Sequence, residues 1–426
     1  QPGRVRGIQG LYATMVGRAH ELERLTRAAE EVTGHQSGQI TLVLGDAGIG
    51  KSRLTEEFKK HTASMDALLI EGSCLAYTRT ITYWLFQQIL KAYFGIGDDD
   101  AESAIRAKLE TRVRALAPDT WLDIVPYVEH LLSVRLATEE IQEKVRYLTP
   151  AQLQQQTFLA VRELFRLQAH RQPFILILDD LHWADKRSLD LLTFLFGLTE
   201  QAPIMFFCIS RHTEGQAFGE IARLGSGTYA QRYTEIQLLP LSANDSTELV
   251  GRLLTVAELP DSLRRLISER SEGNPFYLEE MIRVLIDKDI IYRDGDNWRT
   301  HEGVDWNNLQ VPTTLQGLIL SRVDGLGDKL KSVLQTASVI GRVFQYTLLQ
   351  LLRESDTTLR NDLSDLENRD LVRLRSEHPE LEFMFKHFLT QDVVYNTLLI
   401  MNRQRLHLRV AETMERMYED RRSEYV

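Results

Sequence analysis

The run Ile40-Thr41-Leu42-Val43-Leu44-Gly45-Asp46-Ala47-Gly48-Ile49-Gly50-Lys51-Ser52-Arg53-Leu54 decides the fold. An apolar stretch with the composition of a buried strand ends in G-x-x-x-x-G-K-[ST] at 45–52, and a helical pattern follows. Gly45, Gly48 and Gly50 let the backbone wrap closely enough for several N–H groups to converge on one phosphate. Lys51 then neutralises the outer phosphates. Ser52, read as the first helical residue, offers a hydroxyl to Mg²⁺, and the helix N-terminus adds its partial positive charge. Strand, loop and helix in this order make a phosphate-binding loop, with Asp46, Ala47, Ile49 and Arg53 completing the segment that wraps the ligand.

Outward from this loop, short apolar runs alternate with helical periodicity: ALLIEG at 67–72, FILILD at 174–179, IMFFCIS at 204–210 and EIQLLP at 235–240. Such runs predict an α/β domain with a parallel sheet covered on both faces. FILILDD ends in two carboxylates: Asp179 is expected to hold Mg²⁺ through water, and Asp180 to orient or deprotonate an attacking water. Arg211 follows the next strand, where its guanidinium would distinguish tri- from diphosphate by charge. His182 and Trp183 come directly after the acids; packing is the natural reading of the tryptophan, and the histidine's role stays open. About a hundred helical residues separate the second and third apolar runs, either an insertion or an elaborated face of the sheet. The Asp-Asp-Asp run at 98–100 reads as a solvated loop or cap.

The 426 residues are 43 % hydrophobic and 26 % charged, with net charge −10, which excludes a disordered or fibrous chain and gives no whole-chain attraction to nucleic acid or anionic lipid. Two cysteines without metal-ligand spacing exclude a disulfide scaffold and fit a reducing, cytoplasmic setting. No apolar stretch predicts a membrane span. Five segments are expected: a linker over 1–14, a phosphate-loop domain over 15–240, a helical lid domain over 241–305 opened by Ser242 and Asp245 in capping-box spacing, a winged helix over 306–400, and the start of a helical array over 401–426. The start at Gln1 and the end within a helical pattern suggest a fragment of something longer.

The motifs V-G-R-A-H-E-L at 16–22, GDAGIGKSRL, LDDLHWAD at 178–185, Ser210-Arg211 and SEGNPFYLEEMI at 271–282 together resemble the signal-transduction ATPases with numerous domains, relatives of the AAA+ group. Among these the chain is most similar to the ATPase modules of multidomain nucleotidyl-cyclase-type regulators and related transcription activators, and VPTTLQGLILSRVDGL and FKHFLTQDVVYNTLL extend the likeness. The resemblance implies Mg-ATP and ADP as ligands, with Val16, Gly17 and Arg18 against the adenine, Pro275 on the base, and His387 touching the β-phosphate of ADP. It further implies a slow ATPase acting as a switch, self-association on activation, a signal read by a C-terminal helical array, and an N-terminal effector such as a nucleotidyl cyclase domain. Asp180 is shorter than the glutamate of vigorous AAA+ hydrolases, which suggests slow turnover. No arginine stands out as a finger for a neighbouring subunit. A DNA-binding initiator or loader shares the layout, but residues 311–400 carry 10 basic against 12 acidic side chains, unlike a nucleic-acid footprint. A simple metabolic NTPase would leave the domains after the sheet without a task.

Overall fold

The computed structural model describes residues 14–97, 100–134, 142, 145–211, 216–254, 261–294, 297–301, 312–353, 358–377 and 380–417. Asp98 and Asp99, most of the expected linker, the expected boundary at 305–306 and the tail at 418–426 lie outside the described residues. The chain forms two compact units, one over Arg18–Leu239 and one that takes in the chain from Pro240 onward with residues 14–17.

In the first unit, β1 (Gln39–Leu44), β2 (Leu68–Ser73), β3 (Phe174–Asp179), β4 (Ile204–Ser210) and β5 (Tyr233–Gln237) form a parallel sheet in the order β2-β3-β4-β1-β5. The apolar runs of β1, β3 and β4 are buried almost end to end because helices cover both faces. Helix α1 (Ala19–Gly34) and helix α2 (Lys51–Thr62) lie on one side, where Phe58 meets Phe207 edge-on at 5.2 Å between ring centroids. On the other side Leu42, Leu176, Leu178, Phe206 and Cys208 share a core with α3 (Trp84–Phe94), α4 (Glu102–Leu116), α5 (Val125–Leu131) and α6 (Pro150–Arg171). The helical stretch between the second and third strands is therefore an elaborated face of the sheet, built into its main core. Two further helices, α7 (Lys186–Leu195) and α8 (Gln216–Ser226), follow β3 and β4.

The second unit opens with α9 (Ala243–Leu254), which starts as its capping residues dictate: Asp245 N–H donates to Ser242 Oγ at 3.1 Å, and the Ser242 hydroxyl donates to Asp245 at 2.6 Å. Then come α10 (Asp261–Arg270) and α11 (Pro275–Asp287), the latter capped by Asn274, whose side chain accepts from the N–H groups of Phe276 and Tyr277. A hairpin of β6 (Ile291–Asp294) and β7 (Asn297–Thr300) follows, where helices alone were expected. Beyond it lie α12 (Leu315–Asp324), α13 (Asp328–Ile340), β8 (Val343–Gln345), α14 (Tyr346–Leu352), α15 (Leu359–Asn368), β9 (Val372–Ser376), β10 (Glu382–Phe385), α16 (Phe388–Asn396) and α17 (Ile400–Met417). Within the segment expected to form a winged helix, β9 and β10 pair antiparallel, and β8 adds a third antiparallel strand in the order β8-β10-β9. Val16 is 7 % exposed and packs here with Leu241, Leu249 and Leu278, so residues expected to open the first domain belong to the second unit.

Candidate nucleotide-binding site

The sheet order brings the chemistry together. β4 lies between β1 and β3, with Leu44 paired to Ser210 and Leu178 to Cys208. The phosphate loop, Asp179-Asp180 and Arg211 therefore emerge side by side at the carboxyl ends of three adjacent strands, where α/β sheets bind ligands. Gly45 N–H donates to Ser210 O at 3.3 Å and ties the loop's start to the strand that carries Arg211.

Within the loop, Gly48 and Gly50 have φ of +80° and +104°, the left-handed conformations that side chains resist. Gly50 caps α2, and among the described residues no side-chain hydrogen bond or first-turn acid occupies that helix N-terminus. Helix α2 begins at Lys51, so Ser52 is its second residue rather than its first, and it is exposed. The Lys51 ammonium donates to Gly45 O at 2.7 Å and to Asp46 O at 2.9 Å. Burial lowers its pKa; Asp180 and Asp179 pull it back up while Arg211 pushes it further down, so these four charges share one neighbourhood. Arg53 pairs with Glu57 at 2.8 Å along α2.

The motif Val16-Gly17-Arg18 is divided between the units. Arg18 is 6 % exposed, and its guanidinium donates to Ile49 O at 3.3 Å and Leu239 O at 2.5 Å, bracing the phosphate loop from behind. Val16 and Gly17 fall in the other unit.

Asp179 and Asp180 are half-buried, and Asp180 N–H donates to Asp179 Oδ1 at 2.8 Å. Asp180 sits at φ +54°, ψ +39°, a left-handed conformation that costs about 1 kcal/mol or more and is retained where geometry matters. It opens a 3₁₀ turn over Leu181–Trp183. Trp183 packs on the sheet's core. Asp185, the last acid of LDDLHWAD, is structural: it caps α7 by accepting from Ser188 N–H at 2.9 Å and also accepts from Tyr83 N–H at 3.1 Å. His182 is buried beside Asp180, a placement the sequence left open.

In the second unit, Pro275 is the first residue of α11, and the next residue, Phe276, stacks on His387 with ring centroids 3.8 Å apart. Burial lowers the His387 pKa well below its ordinary value, and Lys386, Arg283, Arg342 and Arg373 lower it further, so the ring is neutral at pH 7. Its Nε2 has no hydrogen-bond partner among the described residues. Beside it lies a charge network that the sequence did not announce: Glu280, 2 % exposed, accepts from Arg322 at 2.5 Å and lies 3.5 Å from Arg283, and Asp370 pairs with both Arg283 and Lys386. Burial lowers the Lys386 pKa to about 7.

The residues at the carboxyl ends of the strands fit Mg-nucleotide: a helix N-terminus whose cap, Gly50, has no side chain, for phosphate, and an exposed Ser52 hydroxyl and the Asp179 carboxylate for the metal. Among the described residues no cluster of three or more His, Cys, Asp or Glu could hold a metal alone. No helix among the described residues is long and apolar enough to cross a membrane.

Residues 14–207 match the family model of the AAA ATPase domain, and residues 242–299 match a domain of unknown function (DUF8739). A curated relative, the uncharacterized protein R02095 of Rhizobium meliloti (strain 1021), is 23 % identical over 420 residues, covering 95 % of this chain and 38 % of the relative. Among solved structures, the signal transduction ATPase with numerous domains PH0952 of Pyrococcus horikoshii, which has a tetratricopeptide repeat sensor, aligns with TM-score 0.49 and 11 % identity over 97 % of this chain and 47 % of its own. The Aeropyrum pernix ORC2 protein, solved as ADPNP-ADP complexes, aligns with TM-score 0.41 and 13 % identity over 96 % of each chain. The chain spans about two fifths of the curated relative and about half of the Pyrococcus protein. It carries a P-loop ATPase domain of the AAA-related kind, followed by helical domains.

Proposed function

We propose that the chain is an ATP/ADP-dependent signalling switch whose slow ATPase resets it. The observation that carries this reading is the convergence of Lys51, Asp179, Asp180 and Arg211 at the carboxyl ends of β1, β4 and β3. Lys51 and the N-terminus of α2 would hold the outer phosphates, and Ser52 and Asp179 the Mg²⁺. The metal supplies charge neutralisation at the β- and γ-phosphates. Asp180 would accept the proton of the attacking water or fix its orientation, and Arg211 would register the γ-phosphate. A ligand shifts a two-state equilibrium only by its differential affinity, and Arg211 and His387 are the groups proposed to supply that difference. The winged-helix reading of the segment after α12 is supported by its order of helix, strand, two helices and hairpin. Self-association on activation, a signal-reading array and an effector domain belong to the same proposal and derive from the resemblance.

Asp180→Asn is expected to leave ATP affinity within about 3-fold of the parent and to lower kcat by at least about 100-fold, measured by calorimetry and phosphate release. A variant that turns over normally would remove Asp180 from the mechanism. His387→Ala is expected to speed ADP release by roughly 10-fold, one lost hydrogen bond to a charged group, and to raise the assembled fraction on a sizing column. Unchanged release and unchanged size would sink the switch reading while leaving the ATPase assignment standing.

A further inference from the structure

The turn after the second acid holds a side chain that the ATPase reading has not used. His182 lies two residues beyond Asp180, in a turn fixed by hydrogen bonds from Trp183 N–H to Asp180 O at 2.9 Å and from Ala184 N–H to Leu181 O at 3.0 Å. Its side chain is only 7 % exposed, yet neither ring nitrogen has a hydrogen-bond partner among the described residues. Buried polar groups are nearly always paired, so two orphaned nitrogens on one ring ask for a reason. Burial lowers the pKa to about 4, with Asp180 opposing and Arg211, Lys51 and Arg79 assisting, so the ring carries one N–H and one lone pair. Asp180 is the carboxylate beside it: Nδ1 stands 3.8 Å from Oδ1, about 1 Å too long for a hydrogen bond. Catalytic hydrogen bonds often reach their working length only in the reactive complex.

We propose that His182 is a positioning residue for hydrolysis: with nucleotide in place, its Nδ1–H closes onto the Asp180 carboxylate and holds it in the orientation from which it acts on water. This deepens the ATPase reading and rests on it. Packing alone would be served as well by an apolar side chain of similar size, and the ring already contacts Trp183 at 5.0 Å between centroids. A packing residue would not need two nitrogens buried against the charged cluster of Asp180, Lys51 and Arg211.

The test uses the full chain and three readouts: ADP affinity by calorimetry, steady-state kcat and KM for Mg-ATP, and retention of ADP in the presence of aluminium fluoride, which mimics the transferring phosphoryl group. His182→Ala is expected to lower kcat by about 100-fold, the effect of a 1 Å misplacement, and to lose the fluoride-dependent retention. KM and ADP affinity should stay within about 3-fold. His182→Asn places an amide N–H near the position of Nδ1 and should restore most of both losses, whereas His182→Gln, which reaches the Nε2 position, should not. His182→Leu packs without donating and should fold like the parent yet behave as the alanine variant does. Parental kcat in the leucine variant, or rescue by glutamine as full as by asparagine, would overturn the proposal. So would a loss of ADP affinity in the alanine and leucine variants as large as their loss of kcat. A parent chain that binds ADP but neither turns over ATP nor retains ADP with fluoride would remove the hydrolase reading itself, and the proposal with it.

Discussion

Lys51→Ala is expected to weaken Mg-ATP binding by at least about 100-fold, with the folded state retained. On the proposed reading the ammonium is the cation that the loop presents to phosphate, and each hydrogen bond to a charged group contributes about 1.5–3 kcal/mol, so two such contacts correspond to two decades or more in Kd. Burial lowers its pKa, while Asp180 and Asp179 pull it back up. It donates to Gly45 O and Asp46 O, and on the proposed reading phosphate oxygens would replace these acceptors at little net cost. Neither bond ties the sheet together, so the melting temperature of the ligand-free variant should match the parent's. Calorimetric titration with Mg-ATP checks the first part and a thermal melt the second. A variant that binds within about 3-fold of the parent would mean that the loop does not hold the phosphates.

The phosphate loop and the acids of β3 were legible because each belongs to a continuous apolar run that ends in residues with chemistry, and parallel strands deliver their carboxyl ends to one edge. The placement of β4 between β1 and β3 was not written in any local pattern; it follows from how Phe206, Leu176 and Leu42 share one core. Arg211 gained its place from that order. The hairpin β6–β7 has one local signal, the turn dipeptide Asp294-Gly295, which competes with a leucine periodicity that runs from the preceding helices up to its first strand. Strand β8, three residues long, is too short to show alternation. Val16-Gly17-Arg18 reads as one motif, yet Val16 is drawn into an apolar cluster with Leu241 while Arg18 turns to the carbonyls behind the phosphate loop. His387 illustrates the same limit: nothing around Lys386-His387 in the sequence points to Phe276, and only the folded second unit stacks them.

Glu280→Ala is expected to destabilise the second unit by about 3–5 kcal/mol, the effect of breaking a buried ion pair from one side. In sequence Glu280 and Arg283 look like an ordinary solvent-facing pair one helical turn apart. In the structure both are nearly fully buried, because Arg322 of α12 and Asp370 before β9 close over them. Desolvation would raise the Glu280 pKa, but Arg322 and Arg283 hold it below the usual carboxylate range. Removing it leaves Arg283 and Lys386 sharing Asp370, and Arg322 with Asp287, which reaches it only from a half-exposed position. For a unit of this size such a loss corresponds to a drop of roughly 10 °C in melting temperature. Restoring charge balance by Glu280→Ala with Arg322→Met should recover part of the loss, a coupling that a double-mutant cycle measures. A single variant that melts within about 2 °C of the parent would show that solvent or a neighbouring carboxylate compensates. The network also fixes Lys386, the residue before His387, so the same substitution should speed ADP release in the manner of His387→Ala: the buried charges would then be what holds the proposed phosphate-reading histidine in register with the helix that begins at Pro275.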